Sequence, residues 1–549
     1  MSSGSPVGAQ LDLESVLKRI GAAVESSDLR RAFELADAEI SRGGVHPSLF
    51  GARALWLEQQ QRFDDALADF QRARALSPRD VILLNAIGLC LTRLYRLYEA
   101  IEAFDEAIRI NPTYMLTYHR KGIALGMTGD LDGAQRVHER AIALFPQNTE
   151  ALACLASVAA RKGEFAKARE HARRALKLDP QRATAVAALA MADNAEAAFA
   201  SAEALIRPLL DNPRVSGRGR ASALGILGDA LDGQNRTEEA FAAYSEENSE
   251  LLRFHAPRFA ERKRISDFAD DLAAHFENAA DERWLAATGI DAFEGAPAGH
   301  VFLLGFFRSG TTLLEQILES HPEIVTLEER DALAGLAERY LTTKSGLAAL
   351  AGLSGEALAS ARAEYWRLVR SHGLAVSGKI MVDKNPLNTL KLPLISKLFP
   401  NAKILFAVRD PRDVVLSCFR RHFEVNAAMF ELLTLEGATR TYDSVMRLAE
   451  LLRNKLPLAL HDHRYEDLIE NFDMRVRNVC LFIGVPYKEE MVNFSATARS
   501  QDIRSPSAQQ VRRGLYGESV AQWRRYAAQL EPMQPILRPW VERFGYPVD

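Results

Sequence analysis

The chain has 549 residues, of which 48% are hydrophobic, 26% charged and 8% aromatic, an ordinary globular mix that excludes a disordered, collagenous or fibrous protein. At roughly 100–200 residues per domain, this length implies about two to four domains. The formal net charge of −4 is too small for a protein that coats a polyanion, with 36 basic against 43 acidic residues in 1–300 and 32 against 29 in 301–549; no nucleic-acid partner is expected, and only the second half suits a small anionic ligand.

No stretch approaches the ~18 consecutive apolar residues of a membrane helix, so no membrane span is expected. The first residues, MSSGSPVGAQLDLESVLKR, lack the basic-then-apolar order of a secretory signal. Cys90, Cys154, Cys418 and Cys480 are scattered without metal-like spacing, which fits reduced thiols and a cytoplasmic location better than a disulfide framework.

The first half is periodic. Pro78, Pro112, Pro146 and Pro180 lie 34 residues apart, and Pro213 follows 33 later. Twelve residues before the first four prolines stand Ala66, Ala100, Ala134 and Ala168, and five before them stand Ala73, Ala107, Ala141 and Ala175. Gly88 and Gly122 hold the matching place on the first helix of their units. A fixed period of this size predicts a solenoid, with small residues where paired helices approach and a proline that cannot continue the second helix. The pattern resembles the tetratricopeptide-repeat family over residues 47–213, with a degenerate unit before it (Ala32, Pro47) and a further one after it (Gly228, Ala240, Tyr244). That resemblance implies a concave surface for a protein partner. The solenoid is expected over 13–250, a helical linker over 251–296 ending in the Gly/Pro-rich FEGAPAGH, and a second domain over 297–549.

Val301–Leu304 is a short apolar run of the kind a buried parallel strand shows. It leads into Gly305-Phe306-Phe307-Arg308-Ser309-Gly310-Thr311-Thr312, after which Leu314, Ile317, Leu318 and His321 are spaced as one helix face. Strand, glycine-containing loop and helix point free backbone N–H groups at a phosphate. The Gly305–Gly310 spacing fits a nucleotide-binding loop, yet Thr311 stands where a phosphoryl-transferring loop carries Lys. The cation has moved inside the loop, to Arg308, which favours an anion held without metal. One alternative is a P-loop phosphoryl-transfer enzyme, with Asp383 as the nearest metal-binding candidate. FFRSGTTLLEQIL is similar to the 5′-phosphosulfate loop of sulfotransferases, in the form found in protein-tyrosine sulfotransferases, with Phe307 where that family usually has Pro. The resemblance implies that Arg308, Ser309, Gly310, Thr311 and Thr312 bind 3′-phosphoadenosine-5′-phosphosulfate.

A second apolar run, Lys403–Val408, ends in RDPRDVVLS and resembles the family's 3′-phosphate motif. This implies that Arg409 and Ser417 hold that phosphate, with Arg421 one turn further along the same helix face. A helix-capping Arg–Asp pair would explain Asp410 or Asp413 but not the whole set. His463-Arg464-Tyr465-Glu466-Asp467 resembles the junction whose Tyr lies near the adenine. Arg512, Arg513 and Gly514, ahead of Trp523, resemble the loop that closes over the nucleotide.

Sulfuryl transfer needs a base for the acceptor hydroxyl and cations at the leaving oxygen. His321-Pro322-Glu323-Ile324-Val325-Thr326-Leu327-Glu328-Glu329-Arg330 is similar to the stretch of protein-tyrosine sulfotransferases in which the second of two adjacent glutamates is the base. That implies Glu329. Glu328 stays open because Leu327 replaces the family's Gly, and His321 is a weaker candidate. Lys384, after the apolar run Lys379–Val382, resembles the family Lys at the bridging oxygen, with Arg308 beside it. The expected architecture is an all-α tetratricopeptide-repeat solenoid followed by a P-loop-type, parallel-sheet α/β sulfotransferase domain. The implied activity moves a sulfuryl group to a hydroxyl acceptor (protein tyrosine, glycan or small molecule) without a metal, the repeats recruiting the acceptor or a partner. A non-catalytic scaffold with a nucleotide-sensing domain is the other alternative.

Overall fold

The structure, a computed structural model, describes residues 6–278, 295–420, 425–496, 514 and 517–548. The chain divides into two compact units, 1–192 and 193–549.

The first unit is built of paired helices. Each 34-residue proline stands two residues past a helix end, after Phe63–Leu76, Leu97–Ile110, Leu131–Leu144 and Phe165–Leu178. The recurring alanines explain how the pairs close. Ala66, Ala100, Ala134 and Ala168 are completely buried, and a Cβ added to Gly88 would stand 2.4 Å from the Phe104 ring, one added to Gly122 2.3 Å from the His138 ring. A ring on one helix thus fills the space that glycine leaves on its partner, which is the close packing a solenoid needs to bury a continuous core. All four cysteines are free thiols.

The second unit opens with the helices Phe199–Leu210, Gly217–Gly233 and Thr237–Phe259. Gly228 meets the ring of Tyr244 in the same way, at 2.5 Å from an added Cβ. A five-stranded sheet follows: β1 (Gly299–Gly305), β2 (Ile324–Thr326), β3 (Ile380–Lys384), β4 (Lys403–Val408) and β5 (Ala459–Arg464). All pairings are parallel, in the order β2-β3-β1-β4-β5. Leu303 pairs with Lys384 and Gly305 with Ala407. Both faces are covered, so β1, β3 and β4 read as continuous apolar runs rather than alternating ones. Val301, Leu303 and Leu405 pack with Leu314, Ile317 and Leu468, whereas Phe302 lies against the rings of Phe399 and Tyr365 at 5.9 and 6.4 Å. The chain leaves β1 toward one sheet edge and β4 toward the other, and such a switch of direction opens a crevice at the carboxyl ends of those strands.

The sequence places a boundary near Ala296, but contacts group the residues from 193 onward with the sheet. Asp232, at the end of the helix Gly217–Gly233, forms an ion pair with Arg420, lies 2.8 Å from Arg525 and accepts the Tyr526 hydroxyl at 2.7 Å. Asn248 donates to the Phe419 carbonyl at 2.9 Å, and Phe241 stacks on Phe419 with centroids 5.2 Å apart. This repeat-like pair is therefore seated on the helix that follows β4. No helix among the described residues is long and apolar enough to cross a membrane.

Candidate active site

Each strand delivers a candidate residue to the carboxyl edge of the sheet. After β1 the chain turns sharply. Gly305 approaches β4 so closely that a Cβ would stand 2.5 Å from the Ala407 carbonyl oxygen, and at Gly310 φ is 91° with a Cβ 2.6 Å from Tyr465. Only glycine fits either place. Arg308 adopts φ 63° without being glycine, a conformation that costs an L-residue roughly 1–2 kcal/mol. Its Nε donates to Ser417 Oγ at 3.0 Å. The helix Thr311–Glu319 then begins behind Gly310, with no side chain capping its first turn. Uncapped N–H groups with the positive end of the helix dipole suit an anion. Ser309, Thr311 and Thr312 are all buried here.

After β4 comes Arg409, also buried. Its guanidinium donates to the carbonyls of Arg308 (3.1 Å) and Ser519, lies 3.8 Å from Asp413 and stands 5.0 Å from the Tyr465 ring centroid. Ser417 sits on the helix Pro411–Arg420. The loop after β1 and the start of the helix after β4 thus meet in one cluster. Asp410 takes the helix-capping role, accepting the Arg412 N–H at 2.9 Å and its guanidinium at 3.0 and 2.7 Å, and Arg412 lies over the Trp523 ring at 3.6 Å. Asp413 accepts the N–H groups of Ala521 and Trp523, both at 2.8 Å, and burial pushes its carboxyl up to about 6. After β5, Tyr465 packs on Gly310 and its hydroxyl meets Ser519 Oγ. Gly514 has φ 90°. Arg421, Arg512 and Arg513 lie outside the described residues.

After β2 and at the end of β3 lies the second cluster. Lys384, fully buried, places Nζ 2.8 Å from Glu329 and 3.0 Å from Glu315. Burial alone would lower its pKa, but the charges and hydrogen bonds of the two glutamates raise it above the ordinary lysine value. The Leu327 N–H still bonds Val382 as an extension of the sheet, so the turn falls on Glu328, at φ 56°. Glu329 therefore reaches Lys384, while Glu328 lies 4.0 Å from Arg330. His321 is taken up by backbone: Nε2 meets the Pro486 carbonyl at 2.8 Å, and Nδ1 accepts the Glu323 N–H at 3.1 Å. Asp383 faces the other way, accepting from the Tyr365 hydroxyl at 2.8 Å and from Asn388 at 3.1 Å.

Glu315 is the residue the sequence pattern conceals. LLEQIL reads as one apolar face, yet Thr311–Leu318 is buried on every side. An acid inside such a helix needs a buried cation, and Lys384 supplies it. Burial pushes the Glu315 carboxyl above the ordinary carboxylate range, and the Lys384 charge and hydrogen bond oppose that shift without cancelling it. Its native pKa lies above its unfolded value, so the native state holds more protons between the two, and this group's contribution to stability falls as pH rises from the ordinary carboxylate range through its native pKa. Glu315→Gln is therefore expected to gain stability relative to the parent between pH 5 and pH 8, read as the shift in urea midpoint; parallel curves would reject this.

Residues 300–489 match the model of the sulfotransferase family, and residues 51–114 and 119–183 match a tetratricopeptide-repeat model. An uncharacterized protein of Aquifex aeolicus (strain VF5) is 26% identical over 366 residues, 62% of this chain, and the chain spans 44% of that relative's length. Protein-tyrosine sulfotransferase 1 of Danio rerio is 25% identical over 264 residues, covering 45% of this chain and 72% of the relative. Protein-tyrosine sulfotransferase 1 of Homo sapiens is 35% identical over 138 residues, 24% of this chain and 36% of the relative.

Proposed function

We propose, for a chain in which tetratricopeptide repeats precede a sulfotransferase-family domain, that the domain moves a sulfuryl group from 3′-phosphoadenosine-5′-phosphosulfate to a hydroxyl, with tyrosine on a protein as the first acceptor to test. The observation that carries this reading is the juxtaposition of Glu329 with Lys384, at 2.8 Å, at the same sheet edge as the Arg308–Ser417–Arg409 cluster. A carboxylate on a buried lysine, at the carboxyl edge of the sheet that also carries guanidinium groups, matches what the reaction asks for. The acceptor oxygen attacks sulfur as Glu329 takes its proton. The bond from sulfur to the bridging phosphate oxygen breaks, and Lys384 and Arg308 neutralise the charge left on that oxygen. Arg409 and Ser417 take the 3′-phosphate, and Tyr465 borders the nucleotide. The repeats recruit the acceptor or a partner. Asp383 is engaged by Tyr365 and Asn388, which disfavours a phosphoryl-transfer enzyme that would aim that carboxylate at a metal.

Calorimetry with 3′-phosphoadenosine-5′-phosphate and with ATP tests the donor. Selective binding of the former is expected, and equal affinity or Mg²⁺-dependent ATP binding would reject the reading. Turnover with labelled donor and tyrosine-containing peptides tests the acceptor. A charge-assisted phosphate contact is worth ~1.5–3 kcal/mol, so Arg409→Ala is expected to weaken nucleotide binding by roughly tenfold or more, and Ser417→Ala by less. An unchanged dissociation constant in a folded variant would remove Arg409 from the 3′-phosphate.

A further inference from the structure

The first unit carries a side-chain cluster that its repeat pattern does not call for. His119 lies on the helix Met115–Thr128, while Glu150 and Cys154 lie four residues apart on the helix Thr149–Lys162, a spacing that puts both on one face. Cys154 Sγ is 3.6 Å from His119 Nδ1, that nitrogen is 3.9 Å from Glu150 Oε1, and Sγ is 4.0 Å from the same oxygen. One 34-residue period earlier, the equivalent positions hold Asn85, Leu116 and Arg120. The trio therefore belongs to one pair of repeats and not to the packing code they share.

Around a tetrahedral zinc ion, with Zn–N about 2.0–2.1 Å, Zn–S about 2.3 Å and Zn–O about 2.0–2.2 Å, neighbouring donor atoms stand about 3.3–3.6 Å apart. The sulfur–nitrogen distance already matches that spacing, and the two distances to Glu150 exceed it by about half an ångström, which a side-chain shift closes. We infer that His119, Glu150 and Cys154 form a binding site for a divalent cation of the zinc class, three protein ligands with a fourth position open. A sulfur, a nitrogen and an oxygen donor together select a borderline-soft ion over Mg²⁺ or Ca²⁺, which take oxygen ligands.

The surroundings suit this use. Burial lowers the His119 pKa, which keeps the imidazole neutral, the form that ligates. Burial also pushes the Cys154 thiol up to about 12. The thiol therefore holds its proton until the ion displaces it, and one proton leaves for solvent as the sulfur–metal bond forms. Arg182 pairs with the other oxygen of Glu150 and so fixes the carboxylate's orientation, an outer-shell role. Arg182 and the nearby Arg120 also offset part of the negative charge, which leaves the site dependent on its thiolate. Of the three ligands, Glu150 borders a cavity of about 630 Å³, with Arg182, Met115, Leu144 and Asn148, and a fourth ligand would come from that side.

The test uses full-length protein, reduced and stripped with a chelator, titrated with Co²⁺ and then with Zn²⁺ against a chromophoric competitor. One equivalent of Co²⁺ is expected to bring a thiolate-to-metal absorption band that Zn²⁺ bleaches. Cys154→Ser and Cys154→Ala are each expected to remove the band. His119→Gln is expected to weaken Zn²⁺ binding by more than the roughly 10–100-fold that losing an outer-shell partner costs. Cys90→Ser, at a buried cysteine of the same unit, is expected to keep both signals. Absence of the band in the parent protein, or its survival in the folded Cys154 variants, overturns the site.

Discussion

Glu329→Gln is expected to lower turnover by roughly 10²–10⁴ while nucleotide affinity stays near that of the parent. The change keeps the shape of the side chain and removes its ability to accept a proton. Glu329 contacts Lys384 and is partly exposed, with 38% of its side chain accessible, so an acceptor hydroxyl has access to it. Steady-state turnover with calorimetry on the same preparations measures both halves of the expectation. Glu328→Gln is the matched control, since its carboxylate turns toward Arg330. If Glu328 proved essential and Glu329 dispensable, the base would shift by one residue; if neither mattered, the base would lie elsewhere. Lys384→Ala is a poor substitute for this experiment, because it leaves Glu315 and Glu329 facing each other around a lost cation, and a stability defect would mask any chemical one.

Asp232→Ala is expected to be the most destabilising single change outside the site. Arg420 is 6% exposed, and Asp232 is its carboxylate partner. Removing one member of a buried pair leaves an uncompensated charge and costs ~3–5 kcal/mol. Arg525 and the Tyr526 hydroxyl lose a partner at the same stroke. Urea denaturation should show the loss, with Asp232→Asn falling between variant and parent. The same contacts decide where the chain can be shortened. Deleting 1–192 is expected to leave nucleotide binding intact, whereas deleting 1–245 takes Asp232 away and is expected to yield unstable protein. Equal stability of the two truncations would show that the anchoring is dispensable.

The repeats were legible because their spacing is redundant: prolines, alanines and glycines mark the same period independently, and each has one packing job. The β1 and β4 runs were legible because strands buried on both faces show as unbroken apolar segments. The Arg308 loop was legible because its glycines are forced by the close approaches to Ala407 and Tyr465. Glu315 was not legible, because its partner lies 69 positions away and no local pattern marks a buried ion pair. Asp232 was hidden for the same reason. It sits in an unremarkable LDGQN stretch at a helix end, and its meaning depends on Arg420 and Tyr526, which the fold brings to it. The trio on the repeat helices escaped because metal spacing in a sequence is sought within short motifs, whereas His119 and Cys154 are joined across a whole repeat.

The order of the strands also bears on how such a domain can diversify. The residues assigned to the nucleotide follow β1, β4 and β5, whereas Glu329 hangs from β2, a three-residue strand at the sheet's edge. The helices Ala334–Leu341, Lys344–Ala351 and Gly355–Ser371 come between it and β3. Lengthening, shortening or resculpting that excursion changes what stands before the proposed base without altering the register of β1 against β4. On the proposed function, descendants of one ancestral domain can exchange acceptors while inheriting an unchanged donor, and divergence among them should concentrate between residues 330 and 375.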